Sequence, residues 1–121
     1  MYIEYRFKLK KIDIFEIISI GNELLSGKIL NTNSSWLGSQ ITEMGGIVKK
    51  CVVIRDDLDD IVTTVKSSLD NNTDWIITTG GLGPTHDDKT LESISKALDC
   101  NLVINDIALK RLEERYFELF K

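Results

Sequence analysis

The segment Ile14 to Ile20, IFEIISI, constrains the fold more than any other stretch of the chain. A strand with one face in water alternates apolar and polar residues, whereas this run puts apolar residues on both faces and holds a single charge, Glu16. Both faces therefore need cover, as they do for a central strand in a parallel sheet flanked by helices. Ile47 to Ile54 and the short β-branched and aromatic stretch Trp75 to Thr79 have the same character and strand length. Ahead of them, Tyr2 to Leu9 alternates in the manner of a half-exposed strand.

Between these runs the period becomes helical. Asn31 to Asn33 offer capping side chains before Trp36, Leu37, Ile41 and Met44, and Gly45-Gly46 supply the stop. Asp56 and Asp57 stand at the next helix start. Leu58, Ile61, Val62, Val65 and Leu69 follow at i, i+3, i+4, i+7 and i+11, an apolar stripe turned to the sheet. Leu91, Ile94, Ala97 and Leu98 mark a third helix, and Leu109, Leu112, Tyr116 and Leu119 mark a fourth that begins near Asp106. Trp36 and Trp75 fit core positions better than a stacking platform. The alternation predicts the α/β class, a three-layer α/β/α sandwich with a mostly parallel sheet. At 121 residues and 42% hydrophobic, without internal repeat or low-complexity linker, residues 1–121 read as one domain.

Composition narrows the partners. With 15 Lys and Arg against 19 Asp and Glu, the net charge of −4 argues against gripping a nucleic-acid backbone. Cys51 and Cys100 belong to no metal-ligand spacing and suit a reduced cytoplasm. No run approaches 18 apolar residues, and the first eleven residues lack the unbroken apolar stretch of a signal peptide. Neither a membrane nor a secretory route is expected.

In an open parallel sheet, ligands bind beyond the carboxyl ends of the strands. Three loops have that address. Gly21 to Gly27 leaves the central strand and carries Glu23; its glycines suit either close approach to a ligand or an ordinary turn. Asp56 and Asp57 follow the second strand, where capping of the next helix is the reading the residues alone favour. The third loop, Thr78 to Asp88, sets Gly80, Gly81 and Gly83 within four positions and is followed by a helix. Its amides and the helix dipole would wrap a phosphate between Thr79 and Thr85. It is neither a P-loop nor a dinucleotide fingerprint. Asp87 and Asp88 after it suit either Mg²⁺ against a di- or triphosphate or a helix cap. His86, the sole histidine, reads as a solvated loop residue.

Two long motifs, IISIGNELLSGKILNTNS (Ile17 to Ser34) and IITTGGLGPTHDDKT (Ile76 to Thr90), resemble those of the CinA-like, competence/damage-inducible proteins. These are a branch of the molybdopterin-binding domain superfamily that also holds the MoaB/Mog enzymes of molybdenum cofactor biosynthesis. The resemblance runs from about Phe15 through Lys121 and implies a three-layer α/β/α fold with the ligand over the GGLGP loop. Carried over by position, the family's glycine loop falls on Gly80, Gly81, Gly83 and Pro84. Its acidic residue after the loop falls on Asp88, and that after strand two on Asp56. The family's GDELL motif stands here as Gly21-Asn22-Glu23-Leu24-Leu25, so Asn22 replaces the usual Asp and Glu23 becomes the better carboxylate. Asn31 and Asn33 lie in the polar stretch opening the first helix and are expected to meet the ligand.

The resemblance thus implies binding of a small phosphorylated ligand, either a pterin such as molybdopterin or a nucleotide, with metal-dependent pyrophosphatase action on compounds such as ADP-ribose. Asp88 with Glu23 or Asp56 would hold a divalent ion such as Mg²⁺, and Asp88, Asp56 and Glu23 would carry catalysis. Molybdopterin adenylylation and a non-catalytic ligand-binding or assembly role are the alternatives. Relatives usually continue past the final helix, so the domain reads as truncated at its C-terminus. The apolar stripe of that helix leads to the expectation of a homo-oligomer. No part resembles the separate amidase domain of bacterial relatives, so deamidation is not expected.

Overall fold

A computed structural model of the chain describes residues 11–83 and 89–119. The segment Tyr2 to Leu9, read above as a strand, lies outside the described residues, as do Pro84 to Asp88. Strands β1 (Ile14–Ile20), β2 (Ile47–Ile54) and β3 (Trp75–Thr79) form one parallel sheet in the order β2-β1-β3, so the IFEIISI strand is central. All three strands begin and end on the residues that the apolar runs predicted. The helices are α1 (Asn22–Leu25), α2 (Thr32–Glu43), α3 (Leu58–Leu69), α4 (Thr90–Leu98) and α5 (Asp106–Leu119). The single turn α1 lies within the stretch Gly21 to Gly27, which the sequence presents only as a loop.

Alternation along β1 divides the cover. Ile18 and Ile20, each at most 1% exposed, meet Ile61 and Val65 of α3 and Ala97 of α4, with Val52, Ile54, Ile76 and Ile94 closing around them. A fully buried Ile contributes about 1.5–3 kcal/mol, so this face is the main apolar store of the fold. On the opposite face α2 lies along β2 and β1, with its buried Ile41 beside Phe15. The result is the expected three-layer α/β/α arrangement. Register explains the pairing of side chains: Phe15 is partnered with Trp75, and their rings stack at 6.2 Å.

Glu16 is the exception in the apolar strand, a carboxylate only 1% exposed on the α3 side. It accepts hydrogen bonds from Ser68 Oγ at the end of α3 and from Thr73 Oγ1 at 3.0 Å. A buried charge persists only when so partnered. Burial, the largest single influence, pushes its pKa up, but Ser68, Thr73, the Lys50 charge and Asn71 together outweigh it and hold the carboxyl below its ordinary value.

The tryptophans correct the expectation of core positions: Trp36 is 63% and Trp75 56% exposed. Trp36 stands on the outward side of α2, whose buried residue is Ile41, and Trp75 lies on β3, an edge strand among the described residues. Leu69, expected on the sheet-facing stripe of α3, is also largely exposed and lines an open cavity with Val65, Ile76 and Leu98. Among the described residues no helix is long and apolar enough to cross a membrane.

Candidate phosphate-binding site

β1 and β3 end side by side, and the chain turns sharply after each. Gly21 donates its N–H to the Ile54 carbonyl at 3.0 Å, which ties the first loop to the end of β2. Gly80 leaves β3 at φ +94°, and a Cβ there would sit 2.0 Å from the Ile20 carbonyl oxygen. Gly81 follows at φ +61°, where a Cβ would meet Thr90 Oγ1 at 2.1 Å and Asp56 Oδ2 at 3.0 Å. Both conformation and space exclude a side chain at these two positions. The turn is thus pressed against the end of the central strand, and buried Thr90 locks it by donating from Oγ1 to the Gly80 carbonyl at 3.2 Å.

Thr90 is also the first residue of α4, so turn and helix start form one unit. Lys89 at the N-cap provides no side-chain cap. Its N–H donates to Asp56 Oδ1 at 3.4 Å. The opening amides and dipole of α4 therefore meet the glycine turn at one point, an arrangement suited to an anion.

A cleft of about 160 Å³ opens beside the turn. It brings together Glu23, Asn31, Asn33, Thr79 and Gly80, with Ile20, Leu24, Ile29 and Leu30 as an aliphatic wall. The Glu23 carboxylate folds over Gly21, where a Cβ would lie 2.5 Å from Oε1. Asn31 is engaged within the protein: Oδ1 accepts the Ser34 N–H at 3.3 Å, capping α2, and Nδ2 donates to Ser19 Oγ at 2.9 Å. Ser19, fully buried, also accepts from Thr79 Oγ1 at 3.4 Å. Asn31 and Thr79 thus form the cleft floor through Ser19, while Glu23 and Asn33 are exposed on its rim. Ser19 and Thr90 were not singled out from sequence. The signal for Ser19 was present, a lone hydroxyl in an apolar strand.

The two aspartates after β2 divide the roles that the residues alone left open. Asp57 caps α3, accepting from the N–H groups of Asp59 and Asp60 at 3.1 and 3.2 Å. Asp56 instead turns to the Gly81 backbone and the start of α4. Gly83 is exposed. Pro84, Thr85, His86, Asp87 and Asp88 lie outside the described residues. Among those described, no group of three or more His, Cys, Asp and Glu side chains gathers around a common point. Glu23 lines the cleft and Asp56 lies beside Gly81, the two described carboxylates of the expected metal set.

An open parallel α/β/α sandwich with a glycine turn beyond the carboxyl ends of its strands is the architecture of a class of small-ligand-binding domains. Within that class the chain belongs to the family described as a probable molybdopterin binding domain, whose model matches residues 16–118. A protein of Sulfurisphaera tokodaii is 45% identical over 104 residues, 86% of this chain and 40% of that protein. One from Metallosphaera sedula is 46% identical over 101 residues, 84% of this chain and 38% of that protein. The chain therefore spans about two fifths of the length of these relatives. Among solved structures, a protein described as CinA with unknown function, from Thermoplasma acidophilum, superposes with a TM-score of 0.80 at 35% identity, covering 87% of this chain and 62% of that one. A tungsten cofactor synthesizing protein MoaB from Pyrococcus furiosus shares the fold, with a TM-score of 0.65 at 22% identity, over 72% of this chain and 54% of its own.

Proposed function

We propose that this domain binds a phosphorylated pterin or a nucleotide diphosphate and acts as a metal-dependent pyrophosphatase on compounds of the ADP-ribose type, in the cytoplasm and as a homo-oligomer. The observation that carries the reading is the Gly80-Gly81 turn, whose backbone is held open between the Ile20 carbonyl and Asp56 at a helix start without a side-chain cap. The amides of that turn and of α4 would hold one phosphate and stabilise the charge developing on it. The Leu24, Ile29 and Leu30 wall would accept the flat ring of a pterin or base, with Asn33 at its polar edge. Glu23 and Asp56, together with Asp88, would hold a divalent ion. Such an ion supplies charge neutralisation at the diphosphate and lowers the pKa of an attacking water.

Adenylylation of molybdopterin is a second reading, supported by the fold shared with the Pyrococcus MoaB. A non-catalytic binding domain is the rival from another class, favoured by Asn22 where the CinA-like motif has Asp. A panel of ADP-ribose, FAD and ATP with Mg²⁺, Mn²⁺ or Co²⁺, read for turnover and by calorimetry, separates them. Metal-dependent hydrolysis supports the pyrophosphatase; saturable binding without turnover supports the rival; neither binding nor turnover overturns the site.

A further inference from the structure

The apolar strand β1 carries two polar side chains, Glu16 near its start and Ser19 beside its last residue. Glu16 is held on the α3 face by Ser68 and Thr73. Ser19 faces the other way, since Ile18 and Ile20 on either side of it meet α3, and it is fully buried. Parallel register sets Thr79 of β3 directly across from it, and Asn31, the N-cap of α2, reaches it from the start of that helix. Thr79 and Asn31 both line the cleft, whereas Ser19 does not.

A hydroxyl has one proton and two lone pairs, and Ser19 uses all of them. Its Oγ accepts from Asn31 Nδ2 at 2.9 Å and from Thr79 Oγ1 at 3.4 Å, and donates to Asn31 Oδ1 at 3.3 Å. The Ser34 N–H, which can only donate, holds the same Oδ1 at 3.3 Å, so the Asn31 amide cannot turn over without losing the cap of α2. Two consequences follow for the cleft. Asn31 keeps its second Nδ2 proton for a ligand, and Thr79, whose proton is committed to Ser19, has only lone pairs to offer. Among the described residues neither group has another partner. A threonine hydroxyl left to itself can either donate or accept; here Ser19 decides.

We propose that Ser19 is a positioning residue that fixes the cleft floor as one donor, Asn31 Nδ2, beside one acceptor, Thr79 Oγ1, and so selects a heterocycle whose edge sets an acceptor next to a donor. This rests on the phosphorylated-ligand reading above and names what the cleft takes beside the phosphate. The ring amide shared by pterins and guanine has that edge, as does the amidine edge of adenine. A phosphate oxygen only accepts and gains nothing from Thr79. The size agrees, because about 160 Å³ is well below the roughly 300–1,000 Å³ of a pocket for a drug-sized ligand and suits one ring system, with the phosphates left to the Gly80-Gly81 turn. A floor built to bond a ligand N–H discriminates against a ligand without one.

Calorimetry with GDP, ADP and pyrophosphate in the presence of Mg²⁺ tests this on Ser19→Ala and Thr79→Val. Ser19→Ala frees the Thr79 proton to turn into the cleft, putting a donor where the acceptor was. GDP or ADP should then bind about tenfold more weakly, while pyrophosphate, which meets only the glycine turn, keeps its affinity. Thr79→Val keeps the shape and removes the acceptor itself, with the same loss expected. The double variant should lose clearly less than the product of the two factors, because Ser19 acts through Thr79. A loss confined to GDP or to ADP supports the assignment and names the ring. Equal weakening of pyrophosphate, independent losses in the double variant, or unchanged nucleotide affinity in Ser19→Ala overturns the positioning role alone. So does a parent that binds pyrophosphate as tightly as either nucleotide, which leaves the phosphate reading standing. A parent that binds none of the three overturns that reading, and this role with it.

Discussion

At the scale of single residues, the site depends on positions that tolerate no replacement and on others whose charge alone matters. Gly81→Ala forces a Cβ onto Thr90 Oγ1 at positive φ, a strain of about 1–3 kcal/mol. Phosphate binding, measured by calorimetry with pyrophosphate, should fall at least about tenfold, with circular dichroism unchanged. Asp56→Asn keeps the acceptor for the Lys89 N–H and removes the charge. If Asp56 holds a metal ion, turnover of ADP-ribose should drop about a hundredfold with little change in thermal midpoint. Asp88→Asn is expected to show the same pair of results, and retained turnover there would move the metal to Glu23 and Asp56. The family resemblance singled out Asp56, but the residues alone could not rank it against Asp57, because both precede a helix and only the turn of the chain decides which one caps it.

At the scale of elements, strand boundaries were legible because uninterrupted apolar runs demand cover on both faces and end where polar residues begin. The glycine turn was legible for a similar reason, since three glycines in four positions serve little but unusual backbone. Exposure was not legible: Trp75 reads as core until β3 is known to be an edge among the described strands, which is set by strand order rather than by the strand's own residues. The cap that Asn31 provides for α2 was legible, but its bond to Ser19 was not, because that bond joins residues of different elements. Asp57→Ala should cost about 1 kcal/mol through loss of the α3 cap. The midpoint should fall by about 4 °C with ligand affinity intact, which distinguishes it from its neighbour.

For the molecule as a whole, α3 is held to one face of the sheet by two things side by side, the apolar layer around Ile18 and Ile20 and the polar clamp on Glu16. Because the folded state holds the Glu16 carboxyl below its ordinary value, the clamp contributes fully above the ordinary carboxylate range, near pH 4.3. That contribution is lost as pH falls through the folded value. Glu16→Gln should cost about 2 kcal/mol at pH 7, and the gap between parent and variant, followed by denaturant titration, should close below about pH 4.

The same residue has a second part to play before the sheet exists. Among the described residues both neighbours of β1 are parallel to it, so it pairs with β2 across a helical crossover and with β3 later still. During that delay IFEIISI is a free segment of high β propensity, the kind that stacks with copies of itself, and Glu16 is its sole charge. Repulsion between carboxylates opposes such stacking in the unfolded chain. On rapid dilution from denaturant, Glu16→Gln should therefore scatter more light than Ser68→Ala, which loosens the same clamp but keeps the charge; equal scattering at matched stability would confine Glu16 to its role in the finished fold.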